Sequence, residues 1–267
     1  MLVRPGWNLY LRISGLPELP PFQPGGPPLD LMTFAALDYW CTDGSAAWLV
    51  RRVKVLTVHH LGKSQSERVV WLCEELEIDY ELRRYDRVPE TRLAPKEYKA
   101  LHPIEAAPVI TDGDLILAES GAIIEYIIAK YGDGRLKVPA SDPDFAHYLY
   151  WFHFVNGTLQ PALMRAMVLK RANVPEDHPV MKAAEGRITL ALDFVEVRLG
   201  VAPYLAGTAF SAADIMMMFS LTTIRYFMPF DLSARPNIRA YIARLSTRPS
   251  YRRAMAKGDP DMELLLS

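Results

Sequence analysis

The stretch VKVLTVHHLGKSQSERVVWLCEELEIDYELRRY, Val53 to Tyr85, decides the architecture. Val53, Val55 and the run Leu56 to Val58 form an apolar segment with charged residues before it and the polar loop Gly62 to Ser66 after it. That pattern predicts a buried strand. Val69, Leu72, Cys73 and Leu76 then recur at i, i+3, i+4 and i+7, which lays one apolar stripe along a helix from about Ser66 to Glu77. Ile78-Asp79 ends the helix, and Tyr80 to Tyr85 reads as a second strand with Leu82 between charged neighbours. A strand, a helix and a strand joined by short connections predict a parallel pair.

Working outward, Pro95 to Leu101 is a polar helical stretch closed by His102-Pro103. Pro108 to Ile110 and Leu115 to Leu117, separated by Asp112-Gly113-Asp114, read as a hairpin. A helix begins at Glu119-Ser120, carries Ile124, Ile127, Ile128 and Tyr131 on one face and stops at Gly132. The order βαβαββα over residues 53–133 is that of a thioredoxin-like α/β domain. Gly132 to Pro143 is rich in Gly and Pro, so residues 134–142 are expected to be a linker. Residues 143–267 read as all-α: Asp144 to Lys170, Pro179 to Leu199, Ile215 to Tyr226, Asn237 to Leu245 and Tyr251 to Lys257. Ser211 and Asp214 form an S-x-x-D pair that opens the third of these helices.

The chain has 267 residues, half of them apolar, and 30 basic against 31 acidic side chains leave a net charge of −1. No global basic field favours nucleic acid or anionic lipid. The two cysteines, Cys41 and Cys73, match no metal or redox spacing, which disfavours a disulfide framework and fits a reducing, cytoplasmic setting. No run of eighteen apolar residues predicts a membrane span. Residues 1–28 hold 7 of the 21 prolines, and Leu16 to Pro28 cannot support a helix or a sheet ladder. Residues 1–52 therefore read as a Pro-rich, poorly ordered extension rather than a secretory signal.

The motifs of the organised portion carry a resemblance. VHHLGKSQSERVVWLCEELEIDY from Val58, LHPIEAAPVI from Leu101, LAESGAIIEYIIAKYG from Leu117, NGTLQPALM from Asn156 and YLAGTAFSAADI from Tyr204 are together similar to the cytosolic glutathione transferases. The nearest branch is the fungal and bacterial one opening with H-x-L-x-x-S. The resemblance implies glutathione as co-substrate, a small hydrophobic electrophile as partner, a homodimer and no metal.

It also implies roles for particular residues. Ser64, four residues before Arg68, takes the position of the catalytic serine that stabilises the glutathione thiolate. A thiol pKa near ~8.5 lowered by about two units requires roughly 2.7 kcal/mol, within reach of one hydroxyl bond to a charged sulfur plus a helix N-terminus. Ser66 is the rival donor, unless it serves as the helix N-cap. Ala107-Pro108 corresponds to the family's cis-proline, after which the backbone of Val109 is expected to pair with the cysteinyl unit of glutathione. Glu119 and Ser120, at the start of a helix, are expected to hold the γ-glutamyl ammonium and carboxylate. Relatives often carry a cation where this chain has Gln65 and Ala106, and Glu105 adds an acidic group, so weak glutathione affinity is expected. Lys63, Lys96 or Lys99 could compensate. A pathway-dedicated isomerase or carbon–sulfur bond-forming enzyme, and a non-catalytic scaffold, are the alternatives within this resemblance.

Other conspicuous residues have plainer readings. His59 and His60, adjacent on a strand, point to opposite faces and cannot share a metal. Met216 to Met218 suit a buried helix, and Cys73 lies on the apolar stripe as an inert thiol. Tyr150, Trp151 and His153 fall where the first long helix of the second domain should face the cleft, where they would contact the electrophile or, equally, pack in the core.

Overall fold

The structure, a computed structural model, describes residues Leu56–Ser267. The extension 1–52, Cys41 and the strand residues Val53 and Val55 lie outside the described residues. The first region comprises β1 (Thr57–Leu61), α1 (Glu67–Leu76), β2 (Glu81–Tyr85), α2 (Lys96–Lys99), β3 (Val109–Asp112), β4 (Leu115–Ala118) and α3 (Ser120–Tyr131). The sheet runs β2-β1-β3-β4, with β1 and β2 parallel and the other pairs antiparallel. All five residues of β1 are buried, as a strand covered on both faces requires. The α1 stripe is buried throughout, and the helix ends at Glu77 in the left-handed conformation.

Beyond residue 144 the described chain is helical: α4 (Phe145–Phe154), α5 (Gln160–Arg171), α6 (Pro179–Val201), α7 (Ala212–Leu221), α8 (Pro236–Ser246) and α9 (Pro249–Gly258). Two expected helices prove to be interrupted. A π turn at Val155–Leu159 divides Asp144 to Lys170, with the Gln160 N–H reaching the carbonyl of Val155. Pro161 explains the widening, because it has no N–H to return to the carbonyl four residues back. The helix expected to run from Ile215 to Tyr226 ends at Leu221, where Thr222 leaves helical geometry and its hydroxyl donates to the Met218 carbonyl at 2.7 Å. A 3₁₀ turn, Thr223–Tyr226, follows.

One continuous core joins the sheet region to the helical region, and α1 is the shared element. Trp71 packs edge-on against Tyr251 of α9 at 4.9 Å between ring centroids. On the same helix, Glu74 accepts from Arg253 at 3.0 Å and from Tyr80 at 2.7 Å, while Glu75 binds Arg248 and Ser250. Met216, Met217 and Met218 are buried in this core, as is Cys73, whose thiol is pushed far above its ordinary pKa by burial. Among the described residues, no helix is long and apolar enough to cross a membrane.

Asp214 anchors the helical region. Its buried carboxylate accepts from the backbone N–H of Ser211 (2.8 Å) and Leu205 (2.9 Å) and from the Tyr241 hydroxyl (2.8 Å), closing the capping box expected from S-x-x-D. Each buried donor left without a partner costs about 1–3 kcal/mol. Asp214→Ala is therefore expected to lower stability by about 3 kcal/mol or more in urea unfolding; a loss below about 1 kcal/mol would contradict this account.

Candidate functional site

A cleft of about 290 Å³ opens where the sheet region meets the π turn and α5. One wall carries Gln65, Ala107, Pro108, Glu119 and Ser120; the other carries Asn156, Gln160 and Met164. The Ala107-Pro108 bond is cis. Val109 does not line the cleft: it is buried at the start of β3, in register with His59 on one side and Ala118 on the other. The cleft-side backbone belongs instead to Ala107, which makes no backbone hydrogen bond within the described residues. Glu119 is exposed and held at φ 73°, ψ 118°, a conformation that side chains rarely adopt and that costs about 1–3 kcal/mol. Directly after it, Ser120 is the first residue of α3 and is buried.

Ser64 stands at the end of the β1–α1 loop, 5% exposed, and is not one of the lining residues. Its hydroxyl lies 2.7 Å from that of Ser66 and accepts the Ser66 N–H at 3.2 Å. Ser66 occupies the N-cap position of α1 but does not cap it; its hydroxyl is drawn inward by His60 Nδ1 at 3.0 Å and the Leu61 N–H at 3.1 Å. His59 turns to the opposite face, meeting Tyr85 (3.0 Å) and Thr111 (3.2 Å), as strand alternation requires. Among the described residues, no group of three or more metal-binding side chains occurs.

The polar floor of the cleft is organised by Arg68. Its guanidinium is only 1% exposed and donates to the Gln65 side chain, to Ser120 Oγ (3.2 Å), to Asn156 Oδ1 (3.2 Å) and to Ser220 Oγ (3.2 Å). Burial lowers its pKa to about 9, which leaves it cationic at neutral pH. It therefore supplies positive charge directly behind the position where Gln65 replaces a cation. At the other expected position no compensating cation occurs among the described residues: Lys99 lies 3.9 Å from Glu105, Lys63 sits over the Tyr226 ring, and no described Lys or Arg lines the cleft.

Tyr150, Trp151 and His153 do not line the cleft, and for Trp151 the core-packing alternative is the one the structure adopts. Trp151 is buried against Phe194, Tyr150 packs on Phe154 and Phe194, and His153 is exposed elsewhere. The π turn adds a residue to the helical period and rotates the following face, so Asn156, Gln160 and Met164 reach the cleft instead. Pro161 inside a helical pattern was the available signal for this shift.

Glu67, beside Arg68, is buried, and burial raises its carboxyl pKa to about 8, although the Thr223 hydrogen bond and the Arg68 charge oppose the shift. The unfolded chain releases this proton above about 4.5 while the folded one keeps it to about 8, so stability falls as pH rises between those values. Glu67→Gln fixes the neutral state. Relative to wild type it should gain about 2–4 kcal/mol in urea unfolding at pH 8 compared with pH 4.5; an unchanged difference would refute the shift.

Comparison with known proteins agrees with this geometry. Residues 54–129 match the glutathione S-transferase N-terminal domain family and residues 156–249 the C-terminal domain family. The chain is 30% identical over 227 residues to glutathione S-transferase 3 of Schizosaccharomyces pombe, covering 80% of this chain and 92% of that protein. It is 29% identical to glutathione S-transferase 1 of Saccharomyces cerevisiae, covering 74% and 92%. The crystal structure of a glutathione S-transferase from Actinobacillus pleuropneumoniae superposes with a TM-score of 0.69 at 33% identity, over 76% of this chain and 93% of that one. With the sheet order, the cis-proline cleft and the helical second region, these matches establish that the chain belongs to the glutathione S-transferase family.

Proposed function

We propose that this chain is a glutathione transferase that directs the glutathione thiolate onto a small hydrophobic electrophile held between the two walls of the cleft. The observation that carries the reading is the grouping of Gln65, Ala107-Pro108, Glu119 and Ser120 on a single wall, with Arg68 behind it. Ser120 and the α3 N-terminus offer N–H and hydroxyl donors to the γ-glutamyl carboxylate, and the charge of Arg68 reinforces them. Glu119 accepts from the ammonium. Ala107 pairs its backbone with the cysteinyl unit as an added strand would, while Val109 anchors the proline from within the sheet. Ser64 donates to the thiolate, and Ile104, Pro161 and Met164 present apolar surface to the electrophile. No metal takes part in this chemistry, and the setting is cytoplasmic.

Loss of one hydroxyl bond to a charged sulfur, worth about 1.5–3 kcal/mol, should lower kcat/KM of Ser64→Ala by about 10- to 150-fold at neutral pH. Unchanged turnover in that variant would move the role to another donor. If neither wild type nor variant turns over any of several electrophiles or binds glutathione, the chain is a transferase-like scaffold. Calorimetry in the same series should give a weak, roughly millimolar glutathione dissociation constant, because no cation meets the glycine carboxylate.

The assembly that goes with this reading is a homodimer. Leu190, Phe194, Val197 and Val201 recur at helical spacing along α6 and are all exposed, beside the exposed Tyr150 of α4. Sedimentation analysis should find a dimer, and Val197→Asp, which places a charge in this stripe, should shift it toward monomer; an unshifted dimer would place the interface elsewhere.

A further inference from the structure

Behind Ser64 a chain of buried polar groups crosses the molecule. Ser64 Oγ is 2.7 Å from Ser66 Oγ, Ser66 Oγ is 3.0 Å from His60 Nδ1, and His60 Nε2 is 3.0 Å from Asp259 Oδ2. Asp259 follows α9, 199 residues from His60, and also accepts the Lys63 N–H at 3.0 Å. Two glycines make room for the pair: a Cβ at Gly62 would lie 3.2 Å from Asp259 Oδ1, and one at Gly258 would lie 3.1 Å from His60 Nε2. The order of groups resembles a hydrolytic triad, but Ser66 is wholly buried and cannot meet an acyl substrate. What the chain connects is the buried hydroxyl of Ser64, in the same β1–α1 loop as the cleft-lining Gln65, to an imidazole–carboxylate pair deeper in the interior.

We propose that His60, held by Asp259, is the acceptor of the proton released by the glutathione thiol, reached from Ser64 through Ser66. The inference rests on Ser64 being the group that meets the sulfur. With His60 neutral, the Asp259 carboxylate accepts from Nε2–H, so Nδ1 is bare and accepts the Ser66 O–H. Ser66 Oγ then receives the Leu61 N–H and the Ser64 O–H, and the Ser64 hydrogen points away from the cleft.

On glutathione binding the thiol proton passes to Ser64 Oγ, the original Ser64 hydrogen to Ser66 Oγ, and the original Ser66 hydrogen to His60 Nδ1. One S–H bond breaks and one N–H bond forms. Each hydroxyl keeps a single hydrogen, and thiol plus imidazole become thiolate plus imidazolium. The hydrogen bonds now run the other way, from Nδ1–H to Ser66 and from Ser66 to Ser64, so the Ser64 hydrogen faces the new thiolate. Proton removal and thiolate stabilisation are thus one rearrangement.

The surrounding charges bear on the imidazolium from several elements. Burial works to raise the Asp259 carboxyl pKa, but the interaction with His60, the Lys63 N–H and the Arg84 charge outweigh it, and the group stays below its ordinary range. Arg84 of β2, in register with His60, and Arg87, both interacting with Asp259, oppose the imidazolium; Asp259 favours it, as does Glu67 of α1 once ionised.

The test follows the proton in the full-length protein. Thiolate formation is read by ultraviolet absorbance, and proton release by calorimetry in buffers of different ionisation heat, with S-methylglutathione as the ligand that has no thiol proton. Wild type should form thiolate while releasing almost no proton to the buffer. His60→Asn and Asp259→Asn should raise the apparent pKa of the bound thiol by about one unit or more, a tenfold loss of thiolate at a pH below it. Should those variants fail to fold, nitrogen NMR of the wild-type histidines decides: His60 should become imidazolium with glutathione and stay neutral with S-methylglutathione. Release of one proton per thiolate formed in wild type, or a His60 signal indifferent to glutathione, overturns the proposal. Thiolate formation undiminished in Ser64→Ala is a separate failure, that of Ser64 as the thiol's partner.

Discussion

A single buried cation sets the terms for this molecule. Arg68 has almost no contact with water, and its donors reach the β1–α1 loop at Gln65, the start of α3 at Ser120, the π turn at Asn156 and α7 at Ser220. A guanidinium in that position is costly, and here its two terminal nitrogens are bonded while its Nε is left without a partner among the described residues. The four acceptors come from segments far apart in the chain, so both regions must close around it before it is stable. The cleft wall is the surface those same acceptors present to solvent.

This arrangement explains why the chemistry sits at the junction. Helix α1 contributes its apolar stripe to the shared core, its carboxylates Glu74 and Glu75 to α9, and its N-terminal residues to the site. The strained Glu119 and the cis bond at Pro108 occur on the adjoining edge, where both border the cleft. The helical region supplies no cation to the cleft. It supplies amide side chains that hold Arg68 and Ser220, and apolar surface at Met164 and Pro161.

Much of this was legible in advance. The period of Val69, Leu72, Cys73 and Leu76 and the short connections on either side determined a parallel βαβ unit, and Ser211 with Asp214 marked a helix start that the structure closes as a capping box. Ser64, Ala107-Pro108, Val109, Glu119 and Ser120 are candidates through the resemblance to glutathione transferases, not through any periodic pattern. The faces of α4 and α5 were not legible. A helical pattern assumes a constant period, and the π turn before Pro161 breaks it, which rotates the face that follows and brings Gln160 and Met164 to the cleft.

Local order in this protein is a matter of short-range sterics and of apolar spacing along a few turns, so the sequence by itself determined the element order and the two kinds of region. Partnerships between distant groups are different, because a hydrogen bond depends on three-dimensional position and leaves no periodic trace. Only the tertiary structure decided that Arg68 faces Asn156 and Ser220, that Ala107 rather than Val109 borders the cleft, and that His60 meets Asp259 199 residues away. Those contacts exist because leaving a polar group unpaired on burial is costly, and folding brings most of them a partner, with Glu67 Oε2, Arg68 Nε and Tyr251 OH as exceptions among the described residues.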